Sequence, residues 1–140
     1  MYRIQFFSFL FIFFSITVVA QEKFITVGSG GGFAGTATVY KITTDGKVFK
    51  GNGIADIKFT ECGKIKKTKA KEFVSQVSQQ VNAKTFSHPG NLFYFISFTE
   101  SNNERTITWG DADHPVQADV KKIYEEVLAS VSIIRYKPIK

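Results

Sequence analysis

The sequence predicts an α+β fold: an antiparallel β-sheet of about five strands with two amphipathic helices packed on it. Three observations carry the prediction. Short runs rich in β-branched and aromatic residues alternate with period two; two longer stretches repeat apolar residues every three to four positions; Gly, Asn, Asp and Pro punctuate the boundaries.

The first twenty residues read as a leader rather than as part of that fold. Arg3 gives a short positive start, Ile4 to Val19 is apolar except for Gln5, Ser8, Ser15 and Thr17, and Val18 and Ala20 are the small residues a signal peptidase needs before Gln21. The competing reading is a membrane anchor, for which the run is short, since a span takes about 20 apolar residues. The residue directly after the cleavage point is Gln21 and not the Cys of a lipoprotein, so the mature chain is expected in the periplasm or the medium with no transmembrane anchor after processing, and residues 21–140 as one α+β domain.

Phe24 to Val27 is the first strand, and Thr36 to Thr43 alternates Thr36, Thr38, Tyr40 and Ile42 against Ala37, Val39 and Lys41 as the second. Asp45-Gly46 marks a hairpin turn into Lys47 to Lys50, and Ile54 to Thr60 adds a strand or an irregular crossing. From Thr68, read as an N-cap, apolar residues fall at Phe73, Val77 and Val81 with Ala70 and Val74 beside them, an amphipathic helix to Val81. Pro89-Gly90 fits a type II turn. Leu92 to Thr99 is apolar on both alternating faces and so reads as a central, doubly covered strand. Ser101-Asn102-Asn103 turns it into Arg105 to Gly110. A second helix is expected from Pro115 to Val131, with Val116, Val120, Ile123, Tyr124, Val127 and Leu128 on its apolar stripe.

Composition narrows the function. The chain carries a formal charge of +6, and losing Arg3 lowers it only to +5, a modest preference for acidic partners. Cys62 is the only cysteine, so no intramolecular disulfide forms; the residue is either a small buried apolar group or an exposed thiol open to pairing. No G-x-S-x-G elbow, Cys-His signature or isolated carboxylate pair is present, and the chain reads as a non-enzyme with no cofactor. His88 and His114 are the only histidines and share no ligand spacing. Asp111, Asp113 and His114 read as polar residues ahead of a helix start rather than as a metal site.

Two segments remain as candidate sites. Lys64, Lys66, Lys67, Lys69 and Lys71 crowd into eight residues, either as a patch for an anionic surface or as a solvated loop and helix start; without interleaved aromatics it offers no platform for nucleic acid. The other is Gly28-Ser29-Gly30-Gly31-Gly32-Phe33-Ala34-Gly35. It satisfies the literal G-x-G-x-x-G spacing, but the β-branched alternation after it replaces the helix that a dinucleotide site requires. The loop is either a recognition element presenting Phe33 or a tight crossing in which glycines permit close packing and Phe33 is core.

The Gly31-Gly32-Phe33-Ala34-Gly35 segment after a short first strand, with Tyr94 in a later strand, a partner strand at Thr106 to Trp109, an acidic turn and a closing helix, resembles the emfourin family. These are small proteinaceous inhibitors of thermolysin-like metalloproteases such as protealysin. The chain is also similar to uncharacterised exported Bacteroidetes-like proteins that carry a Gly-Gly-Gly-Phe loop. The emfourin resemblance implies a secreted metalloprotease as partner, bound through Gly30, Gly31, Gly32, Phe33, Ala34 and Gly35. The alternative is a non-catalytic cell-surface or matrix-binding module using the lysine cluster.

Overall fold

The computed structural model describes residues 21–33, 35–53 and 56–134. The leader at 1–20, Ala34 of the glycine segment and the first two residues of the strand expected from Ile54 lie outside them. Among the described residues, no helix is long and apolar enough to cross a membrane.

The architecture is α+β, with seven strands among the described residues rather than about five, and two helices. In chain order they are β1 (Lys23–Gly31), β2 (Thr36–Thr43), β3 (Lys47–Gly53), β4 (Lys58–Lys64), α1 (Lys67–Ala83), β5 (Phe86–His88), β6 (Leu92–Glu100), β7 (Asn103–Trp109) and α2 (Ala118–Ser132). They form one sheet in the order β4-β3-β2-β1-β6-β7-β5. All neighbours are antiparallel except β5 and β7, which run parallel in the register Phe86↔Ile107 to His88↔Trp109. A three-residue strand is too short to show a period, which is why sequence pattern passes over β5.

One face of the sheet carries the main core. Ile25, Val27, Ile42, Val48, Ile96 and Ile107 meet Ala70, Phe73 and Val77 of α1 and Val120, Tyr124 and Val127 of α2. These residues are almost wholly buried, and the helix positions are those of the expected apolar stripes. The helix ends differ from expectation. Ile65 N–H donates to the Gly46 carbonyl at 2.9 Å, and α1 begins directly after that tie, with Lys66 at the N-cap and Thr68 already inside the helix. Residues 115–117 are not helical and Gln117 is extended, so α2 starts at Ala118 with Gln117 at the N-cap rather than at Pro115.

Turns follow the local chemistry in two places and depart from it in one. Ser101 and Asn102 take φ values of 51° and 64° between the paired Glu100 and Asn103, the double positive φ of a type I′ hairpin. Gly46, at φ 93°, closes the β2–β3 connection. Gly90, by contrast, lacks the positive φ of a type II turn: the Gly110 carbonyl approaches so closely that a β-carbon on Gly90 would meet its oxygen at 2.5 Å.

Among the described residues the second face is packed without a helix, which differs from the doubly covered reading of β6. Val39 is buried there, and its register partners are Gly28 on β1 and Gly51 on β3. The Phe95 ring of β6 leans over Gly28, while Ile57 and Phe59 lean over Gly51. Large side chains crossing bare glycines thus flank the buried valine on both sides. Farther along this face, Lys41 Nζ sits 3.9 Å from the Phe24 ring centroid and bonds Glu22 at 3.1 Å.

Candidate functional site

The glycine segment is a strand first and a loop second. β1 continues through Gly28, Ser29, Gly30 and Gly31, pairing on one side with β2 down to Gly31↔Thr36 and on the other with β6 down to Gly31↔Leu92. The glycines within the strand make room for aromatic neighbours: a β-carbon on Gly30 would lie 2.8 Å from Phe93 Cζ and 2.9 Å from Ala37 Cβ. Sequence reading ended the strand at Val27 because glycine is depleted in strands.

The connection itself is a β-turn. Gly35 N–H donates to the Gly32 carbonyl at 3.2 Å, and Gly32 and Gly35 take φ values of 72° and 62°, which a residue bearing a β-carbon adopts only with strain. Phe33 follows Gly32 in this turn and is wholly exposed. The base of the hairpin is braced: Gly32 N–H donates to the Asn91 carbonyl at 2.8 Å, and Leu92 packs beside Gly32. Close packing by glycine therefore holds for the strand half of the segment, whereas Phe33 is no part of the core.

Phe33 is not alone at this end of the sheet. Leu92 is 57% exposed and Tyr94 37% exposed. A shallow polar trough lined by Ser29, Thr36 and Thr38 runs between the hairpin and Tyr94. Beyond Tyr94, an aromatic cleft of about 530 Å³ opens between the sheet and α2. In it Tyr94 stacks on Trp109 with ring centroids 6.0 Å apart, and Tyr124 meets Trp109 edge-on at 5.0 Å. The Tyr124 hydroxyl donates to the Gly28 carbonyl at 3.3 Å, anchoring α2 to the glycine strand, and burial pushes its phenol pKa up. Asp111, Lys121 and Glu125 bring charge to the cleft.

The lysine cluster lies at the other end of β2. That strand runs from the Phe33 hairpin to the Thr43–Lys47 turn, and Gly46 in this turn is bonded to Ile65, so the two candidate surfaces are separated by the length of an eight-residue strand, about 25 Å. Lys64 ends β4, Lys66 caps α1, and Lys67, Lys69 and Lys71 stand in its first turns. Lys69 bonds Glu72 at 3.1 Å and lies 4.6 Å from the Phe73 ring centroid; the other four lysines are exposed. Cys62 is half-buried against the core, where desolvation pushes its thiol pKa up, away from the thiolate a reactive cysteine needs.

The fold also assembles a group that sequence spacing separates. His88 ends β5, and its carbonyl accepts the Asp111 N–H at 3.1 Å, which brings its ring against the turn after β7. The His88 and His114 rings stack with centroids 4.2 Å apart and planes at 11°. His114 Nδ1 lies 2.7 Å from Asp111 Oδ2, and Asp111 Oδ1 accepts the Asp113 N–H at 3.1 Å. Hydrogen bonds from His114 and from the Asp113 backbone hold the Asp111 carboxyl below its usual pKa. Asp111 and Asp113 stand several residues ahead of Ala118, beyond the reach of the α2 terminus; Asp119 is the acidic residue of its first turn.

Comparison with protein-family models, with curated proteins and with solved structures returned no match.

Proposed function

We propose that this chain is an exported, non-enzymatic protein-binding domain that inhibits a thermolysin-like metalloprotease through the hairpin tipped by Phe33. The observation that carries the reading is the exposure of Phe33 on a narrow, side-chain-poor turn whose base is tied to Asn91. An aromatic anchor held by a preorganised backbone loses little entropy on docking and fits the description of a binding hot spot. Thermolysin-like enzymes, the targets of the emfourins, take an apolar side chain beside the scissile bond. The Phe33 ring would fill that pocket, the glycines would let the hairpin backbone enter the cleft, and Leu92 and Tyr94 would extend the contact at its rim.

The test is to incubate the chain from Gln21 onward with several thermolysin-like and several unrelated proteases and to follow peptide hydrolysis. Saturable inhibition confined to the thermolysin-like group is the expected result; unchanged hydrolysis across the panel would end the proposal. Export is checked by intact mass, which should correspond to a chain beginning at Gln21.

A second reading rests on a different observation. Lys64, Lys66 and Lys69 rim a groove that also includes Ile65, Ile133 and Ile134. A basic rim over apolar side chains suits an anionic surface, and would make the protein a cell-surface or matrix-binding module.

A further inference from the structure

We propose that His88, Asp111 and His114 form a binding site for a divalent transition-metal ion of the zinc class. Each residue offers one ligand atom, and the three atoms lie within 4.8 Å of one another. Two imidazoles and one carboxylate are the donors that zinc and its neighbours accept, whereas calcium and magnesium require shells of oxygen.

The ligand atoms are already near one another, and binding requires the stacked His88 and His114 rings, whose planes lie 11° apart, to turn until their nitrogen lone pairs converge on one ion. Zinc holds nitrogen and oxygen ligands at about 2.0 to 2.2 Å, which places tetrahedral ligands roughly 3.3 Å from each other. His114 Nδ1 and Asp111 Oδ2, at 2.7 Å, would move apart by well under an ångström, and no pair would have to close by more than about 1.5 Å.

The backbone beneath them is already fixed. Asp111 N–H is bonded to the His88 carbonyl, His114 N–H to the Asp111 carbonyl at 3.3 Å, and Asp113 N–H to Asp111 Oδ1. His88 and Asp111 are half-buried and His114 is exposed, so an ion has both a supported seat and a way in. A bound ion would tie the three-residue edge strand β5 to the turn that leads into α2, beside the aromatic cleft to which Asp111 contributes. The site stands independently of the protease reading.

The experiment titrates tag-free chain with Zn²⁺ by isothermal calorimetry, with Mg²⁺ and Ca²⁺ in parallel, and follows the histidine ring signals by NMR. His88 and His114 are the only histidines of the chain, so a histidine response reports on this site alone. The expected result is one Zn²⁺ per chain at micromolar affinity or tighter, a raised melting temperature, perturbation of both histidine rings, and no comparable binding of Mg²⁺ or Ca²⁺. His114→Ala and Asp111→Asn should each weaken Zn²⁺ at least about tenfold, while Cys62→Ser should leave it unchanged. The native-protein NMR decides the role of His88 even if His88→Ala fails to fold. No Zn²⁺ binding up to millimolar concentration, affinity unaltered in His114→Ala and Asp111→Asn, loss of binding in Cys62→Ser, or half an ion per chain with dimer formation would each overturn the site.

Discussion

The Phe95 ring lies across Gly28, close enough that a β-carbon on Gly28 would stand 2.7 Å from Phe95 Cζ. The same β-carbon would stand 2.6 Å from the Thr38 carbonyl oxygen, so ring and backbone together exclude any side chain at this position. The contact links the glycine segment to the packing of the sheet face opposite α1 and α2. It ties Gly28 to the packing of the fold, whereas Phe33, five residues on, is wholly exposed.

Gly28→Ala should therefore destabilise the fold by about 1 to 3 kcal/mol, the usual consequence of overpacking. Adding Phe95→Leu should recover part of that loss, because a leucine can withdraw from the new methyl while the Thr38 carbonyl cannot. Urea unfolding of both single variants and the double variant measures the coupling. Strictly additive effects would mean that the ring does not set the requirement for glycine.

Phe33→Ala should change stability by no more than about 0.5 kcal/mol, as at other exposed positions away from special contacts. Phe73→Ala, at a wholly buried ring in α1, should cost about 3 to 5 kcal/mol. If the hairpin is an inhibitory wedge, Phe33→Ala should also lose about 2 kcal/mol or more of binding free energy toward the protease. Unfolding curves and inhibition constants on the same preparations separate anchor from core.

Tyr124 sets an alkaline limit on stability. Burial raises its phenol pKa above the ordinary value of 10.0, so the unfolded chain ionises this group at lower pH than the folded one. The contribution is complete below about pH 10 and is lost as pH rises through the folded pKa. Tyr124→Phe should flatten that alkaline decline while losing about 0.5 to 1.5 kcal/mol at neutral pH with the hydrogen bond to the Gly28 carbonyl. Denaturant midpoints across pH 7 to 11 test both halves.

If the lysine cluster holds an anionic surface, binding to vesicles containing anionic phospholipid or to a sulfated polysaccharide should fall steeply with salt, because exposed charges are screened over about 8 Å at physiological ionic strength. Replacing Lys66, Lys67, Lys69 and Lys71 with Gln should abolish binding. Since the cluster and the Phe33 hairpin occupy opposite ends of β2, that variant should leave protease inhibition intact, and Phe33→Ala should leave surface binding intact.

By itself, the sequence determined the α+β class, both helical stripes, and the hairpins at Asp45-Gly46 and at Ser101-Asn102-Asn103, although Asn103 proves to open β7 rather than to belong to the turn. Periodicity and turn preference act over a few neighbouring residues and are written locally. Tertiary structure decided the rest. β1 runs through its glycines because Phe93 and Phe95 arrive from β6, some 65 residues later, to fill the space beside them. β5 exists because β7 offers a free edge for three parallel pairs. The hairpin tipped by Phe33 is braced by Asn91, nearly sixty residues on, and His88 meets His114 because β5 and the turn after β7 share a sheet edge. Each of these relations joins residues distant in the chain, and the register of strand pairing, which no local pattern encodes, sets which of them meet.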